Sequence, residues 1–169
     1  ALSSLEASIQ GARKELKHVV VGIDANAIIG QRLASDSKHI IGSWGLHCRN
    51  ERGVSFVAWL HLNRVTACNT MYQKLPMHQW THQSWSQGVR RQIDYILVDS
   101  VLRACLRDSA ATDCIDFKSD HRCLYADIAR DPAALSNRRR KHGKNKNTRD
   151  LDFKVFHEAL EQICAEPPA

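Results

Sequence analysis

The sequence predicts an α/β sandwich on three observations: two apolar runs of strand length, two stretches with helical apolar spacing, and further strand-like segments that need antiparallel neighbours. Leu2, Leu5, Ile9, Ala12 and Leu16 recur at three- and four-residue steps, so residues 2–17 are predicted to form a helix with one buried face. The β-branched run from His18 to Ile23 suits a strand buried on both faces, ended by the polar Asp24-Ala25-Asn26. A loop carrying Gly42, Gly45 and Asn50 leads to a second helix from Glu51 to about Asn63, whose apolar residues are Phe56, Val57, Trp59 and Leu60. Leu62 to Asn69 reads as a strand. A loop with Pro76 then reaches Trp80-Thr81 and Ser84-Trp85, and Gln92 to Val98 is a second central strand in which Asp94 is the one charge. Cys114-Ile115-Asp116-Phe117 is expected as a short strand, Ser119-Asp120-His121 as a loop and Cys123 to Ala129 as the last strand. Residues 1–131 make the body, 132–149 a basic linker, and 150–169 a helix with Leu151, Val155, Phe156, Leu160 and Ile163 on one stripe, followed by a tail. There is no internal repeat.

Composition narrows the function classes. At 169 residues with 43% apolar side chains, the chain supports one domain with a true core. No apolar run approaches the roughly 18 residues of a membrane span, and Ala1 to Gln10 lacks the charged start and apolar block of a signal peptide. A soluble intracellular protein without a membrane partner is the expectation. Because the first residue is not Met, the chain is expected to come from a longer reading frame or to follow processing. Six cysteines, at 48, 68, 105, 114, 123 and 164, form no C-x-x-C pair and no zinc-finger spacing, and read as reduced thiols, several of them in the core. The net charge of +6 is local: Asn137 to Arg149 holds seven Lys/Arg and no acid, which leaves the remainder one unit negative. Such a run is ordinarily a solvated linker, yet Arg138, Arg139, Arg140 and Lys141 are also of the kind that holds a phosphate backbone or directs nuclear import.

Three polar groups stand at the ends of apolar strands: Asp24-Ala25-Asn26, Ile93-Asp94-Tyr95, and Ser119-Asp120-His121. Phosphodiester hydrolysis needs a hard cation, a base or oriented water, and donors to the phosphoryl oxygens; carboxylates, an amide and a histidine supply these. Oxygen ligands favour Mg²⁺ or Mn²⁺. Each residue also has a purely structural explanation. A lone D-x-N is more often a turn than a catalyst, Asp120-His121 serves equally as a loop cap, and Trp80 and Trp85 are more often core than substrate platform. Asp36 and His47 show only surface chemistry. Asp94 differs, because a carboxylate inside an apolar strand is costly unless paired, and His121 is the natural partner.

In order, Gly22-Ile23-Asp24-Ala25-Asn26-Ala27, Asn69-Thr70, Trp80-Thr81, Ile93-Asp94-Tyr95-Ile96-Leu97 and Ser119-Asp120-His121 resemble the second half of the endonuclease/exonuclease/phosphatase superfamily, over roughly residues 1–130. There is one extra residue between Gly22 and Asp24. The resemblance implies a partial four-layer α/β/β/α sandwich, mainly the C-terminal sheet and its helices, with the N-terminal half missing and an apolar sheet face left open. It further implies that Asp24 positions or deprotonates the attacking water and Asn26 holds the phosphoryl oxygens. Asp120 contributes to the metal site, His121 faces the scissile phosphate, and Asp94 bonds the imidazole of His121 and fixes its tautomer. Trp80 and Trp85 line the substrate groove. The family's upstream Asn and metal-binding Glu have no counterpart here.

Within that superfamily, Gly45 to Gly53 and Asn69-Thr70 resemble the endonuclease modules of non-LTR retrotransposons, where a basic linker leads to a reverse transcriptase. DNA, or RNA, is the implied partner, and strand nicking the implied reaction of a longer parent. The alternatives are a phosphatase acting on inositol phosphates, lipids or nucleotides, and a non-catalytic remnant or binding module. A serine hydrolase is set aside, since no G-x-S-x-G elbow is present.

Overall fold

The computed structural model describes residues 2–15, 17–112 and 119–129. The expected strand at Cys114–Phe117, the basic linker with Arg138, Arg139 and Arg140, and the terminal helix all lie outside the described residues.

The order is α1 (Leu2–Lys14), β1 (Val20–Asp24), α2 (Glu51–Leu62), β2 (Thr66–Ala67), β3 (His82–Gln83), β4 (Arg90–Arg91), β5 (Asp94–Val98), α3 (Ser100–Cys105), β6 (Leu106–Thr112) and β7 (Cys123–Ile128), with 3₁₀ turns at Cys68–Thr70 and Pro76–His78. The chain is α/β, as its pattern predicts, and every described ladder is antiparallel. β5 is central in a three-stranded sheet ordered β1-β5-β2, while β3-β4 and β6-β7 form two hairpin-like pairs.

Period-two alternation sorts β1 and β5 onto two faces. Val21, Ile23, Tyr95 and Leu97 face α1 and α2, joining Ile9, Phe56, Val57, Trp59 and Leu60 in the main core. Ile96 and Val98 face the other way and pack with Leu106, Ala126 and Ile128, so the β6-β7 pair forms a layer behind the sheet. Helices, sheet and hairpin thus make three layers.

Two hydrogen-bonding residues fix the connections. Asn50 caps α2 by accepting from the Gly53 amide at 2.7 Å, and its oxygen also takes the Ile28 amide at 3.1 Å. Asp99 caps α3 through the amides of Val101 and Leu102, both at 2.8 Å, and reaches back to the Val19 amide at 2.9 Å. Burial alone would push its carboxyl up, but the amides of Leu102, Val19 and Val101 and the His18 ring together outweigh burial and hold it below the usual aspartate value.

Several expectations are corrected. The first helix ends at Lys14, short of residue 17. β1 is covered on one face only, where Val21 and Ile23 are partly buried, and Val20 is 56% exposed on the edge of the sheet. The strand expected from Leu62 to Asn69 shrinks to two residues. Leu62 still belongs to α2, Arg64 takes a left-handed φ of 48°, and Cys68 onward coils into a 3₁₀ turn. α3 and β6 were not expected at all. Where an open apolar sheet face was expected of a partial sandwich, the described strands show Val20 exposed and all six residues of β7 partly buried. Asp36, read as surface, is buried against Arg49 with contacts of 3.1 and 2.5 Å. Cys48, Cys68 and Cys105 are free thiols.

Candidate active site

Antiparallel register sets Asp24, the last residue of β1, directly opposite Asp94, the first of β5. Residues opposite one another share a face, so two carboxylates meet at one end of the sheet, an arrangement that is repulsive by itself. Asp24 Oδ1 accepts the Asn26 amide at 2.9 Å, and Asn26 turns left-handed with φ 46°. This is the turn geometry that D-x-N favours on structural grounds, and it leaves Asn26 exposed beyond the strand end.

Asp94 is more enclosed. Its carboxylate accepts His121 Nδ1 at 3.1 Å from each oxygen. The buried Thr81 hydroxyl accepts the amides of Ile93 and Asp94 at 3.0 and 3.1 Å, and Asn69 Nδ2 donates to the Asp94 carbonyl at 3.1 Å. Burial pushes the Asp94 carboxyl above its ordinary value, against the pull of Thr81 and His121, and the Asp24 charge adds to the rise. With Asp94 as acceptor, Nδ1 carries the proton and Nε2 is the ring nitrogen left for other chemistry.

His121 is brought to this end by a short antiparallel run. Gln83 N donates to Asp120 O at 2.8 Å, Arg122 N donates to Thr81 O at 2.7 Å, and His82 and His121 form a β-bridge. The imidazoles of His82 and His121 lie 4.8 Å apart, and His82 Nε2 stands 3.5 Å from Asp120 Oδ2. Two groups of possible ligand atoms result, each within 4.8 Å: Asp24, Asp94 and His121, and His82, Asp120 and His121.

Of the aromatic pair, Trp80 is partly buried between two guanidinium groups, with Arg90 at 4.9 Å and Arg122 at 4.2 Å from its ring centre, while Trp85 is 76% exposed in the β3–β4 turn. Two guanidinium groups therefore stand about Trp80, the residue before Thr81. Three further residues, Thr81, Asn69 and His82, build this end. Thr81 and Asn69 lie in motifs quoted above, but their bonds to the backbone around Asp94 could not be read there; His82 could be suspected only as the residue following Trp80-Thr81.

No family model matches the chain. The chain is 31% identical over 103 residues to Craniofacial development protein 2 of Tragulus javanicus, and equally to that of Bos taurus; the aligned part is 61% of this chain and 17% of each relative. The chain thus spans about a sixth of the curated relatives it matches. Among solved structures it is similar to a 3'-5' exonuclease (NExo) from Neisseria meningitidis, at 16% identity with a TM-score of 0.47, over 76% of this chain and 52% of the other.

Proposed function

We propose that the chain is the C-terminal part of a metal-dependent phosphodiesterase of the endonuclease/exonuclease/phosphatase superfamily, acting on DNA as an endonuclease. The observation that carries this reading is the His121–Asp94 pair, held beside the Asp24 carboxylate and next to Asp120. In that role His121 presents Nε2 to the scissile phosphate, while Asp94 holds the ring by Nδ1 and balances its charge. Asp24, exposed at the strand end, orients or deprotonates the attacking water, and Asn26 donates to the phosphoryl oxygens. The oxygen donors of Asp24 and Asp120 suit a hard cation, which would be held by Asp120 with the help of an upstream carboxylate. A Mg²⁺ or Mn²⁺ held there would neutralise the charge developing on the phosphoryl oxygens.

Substrate contact falls to Trp80 and Trp85, with Arg90 and Arg122 about the first. Arg138, Arg139 and Arg140 extend the contact along the phosphate backbone in this proposal. A longer parent with the retrotransposon layout, in which a reverse transcriptase follows the basic linker, is the context we propose.

The test is a Mg²⁺-dependent nicking assay on supercoiled plasmid. It compares this chain, a form extended upstream in its reading frame, and the His121→Ala variant of the extended form. Nicking that disappears with His121→Ala supports the endonuclease. An extended form that leaves plasmid intact and releases phosphate from inositol phosphates or nucleotides would replace it with a phosphatase. Silence on both substrates would make the chain a non-catalytic module.

A further inference from the structure

Beside the His121–Asp94 pair stands a group whose chemistry differs from an all-oxygen Mg²⁺ site. His82, Asp120 and His121 offer two imidazoles and one carboxylate, with ligand atoms within 4.8 Å of one another. Mg²⁺ takes oxygen ligands, whereas imidazole suits zinc and the neighbouring transition ions. Three protein ligands with a further position open to solvent is the pattern of a tetrahedral zinc centre that retains a water.

One separation in the group already matches this chemistry. Ligands bonded at about 2.0–2.2 Å to a tetrahedral ion lie roughly 3.3–3.6 Å from one another. His82 Nε2 and Asp120 Oδ2 are 3.5 Å apart, long for a direct hydrogen bond and right for two groups flanking a shared ion. The His82 side chain is 16% exposed and its Nδ1 is buried without a hydrogen-bond partner among the described residues, so packing rather than solvent orients the ring toward Asp120. Asp120, at 40% exposure, has room to adjust toward an ion.

His121 meets the usual outer requirement as well. A metal-binding histidine commonly donates its second ring nitrogen to a carboxylate, which fixes the tautomer, and Asp94 accepts from His121 Nδ1 at 3.1 Å. Nε2 is then the nitrogen left for an ion, and since the hydrolytic reading turns the same nitrogen to the phosphate, the two occupants exclude one another.

We propose that His82, Asp120 and His121 form a binding site for Zn²⁺ or a similar transition cation. The site shares Asp120 and His121 with the hydrolytic reading but does not rest on it, because cation affinity is measured without nucleic acid. Chelator-stripped chain is titrated with Zn²⁺ by calorimetry and with Co²⁺ by its visible ligand-field bands. The expected result is one ion per chain, not displaced by millimolar Mg²⁺. His82→Gln and Asp120→Asn each weaken Zn²⁺ by at least about tenfold, and His61→Gln, on the distant face of α2, leaves it unchanged. Circular dichroism establishes that each variant folds; should His82→Gln fail to, the partly exposed Asp120→Asn decides. No binding by the parent, or parent-like affinity in either folded variant, overturns the site.

Discussion

Replacing Asp36 by alanine should be among the most damaging single changes in the described chain outside the apolar core. Asp36 and Arg49 face each other with side chains 5% and 9% exposed and two contacts, at 3.1 and 2.5 Å. Asp36 also takes the Leu33 amide at 2.7 Å, and Arg49 Nε donates to the Ile29 carbonyl at 2.8 Å, so the pair ties together the loop between β1 and α2. Losing the carboxylate leaves a buried guanidinium without its counter-ion, which costs about 3–5 kcal/mol. In a domain of this size that lowers Tm by roughly 10 °C or more. The pair carries its own pH signature. Arg49 holds the Asp36 carboxyl below the ordinary value of 3.8 despite burial, so its stabilisation is present above 3.8 and fades as pH falls through the lower folded value. Urea unfolding of parent and Asp36→Ala at pH 7 and near pH 3.5 would read both effects. The gap should narrow in acid, and the double variant Asp36→Leu/Arg49→Met should lose less than Asp36→Ala alone. A loss under about 1 kcal/mol at pH 7 would mean that solvent reaches the pair, and the argument from burial would be wrong.

Asp94→Asn should show the opposite sign. Burial raises this carboxyl above 3.8, so its charge destabilises the fold increasingly as pH rises through that range, and the amide should be neutral or stabilising at pH 7–8; destabilisation by more than about 1 kcal/mol would contradict this. In the extended form, the same variant should lose nicking activity. Gly53→Ala and Gly11→Ala, both helical, should also diverge. A Cβ at Gly53 would stand 1.9 Å from the Ile28 carbonyl oxygen, costing about 1–3 kcal/mol, whereas open space surrounds Gly11 and alanine there should gain up to about 1 kcal/mol, as thermal melts would show. Burial pushes the Cys68 thiol up to about 12, so iodoacetamide followed by mass spectrometry should label exposed Cys48 at neutral pH and spare Cys68 until unfolding.

What could be read from the sequence depended on how local the cause was. α2 was legible to within a residue because its apolar spacing and its Asn50 cap lie within a short stretch. β5 was legible because Tyr95, Leu97 and Val98 are apolar and fully buried. β6 was not, since Leu-Arg-Asp-Ser-Ala-Ala-Thr has little strand propensity and is held extended by its pairing with β7. The one-sided burial of β1 was hidden because a run of valines looks the same whichever face a neighbour covers. At the site, a lone carboxylate in an apolar strand demands a partner, and that made the Asp94–His121 contact legible. His82 and Asp120 meet through the β-bridge at His121 and the two backbone bonds beside it, across a separation that no spacing rule encodes. Asp36 misled for a similar reason, as its burial comes from how the long loop folds back on itself.

The Asp24–Asp94 pairing has a consequence for fidelity of folding. A one-residue slip between β1 and β5 would turn one strand over, sending Val21 and Ile23, or Tyr95 and Leu97, away from the helices and one aspartate in among them. Misaligned chains would therefore lose both greasy contacts and the paired carboxylates in a single step. The apolar side of the sheet in this way proofreads the acidic end, and a molecule that has packed its helices correctly has already set its two aspartates side by side.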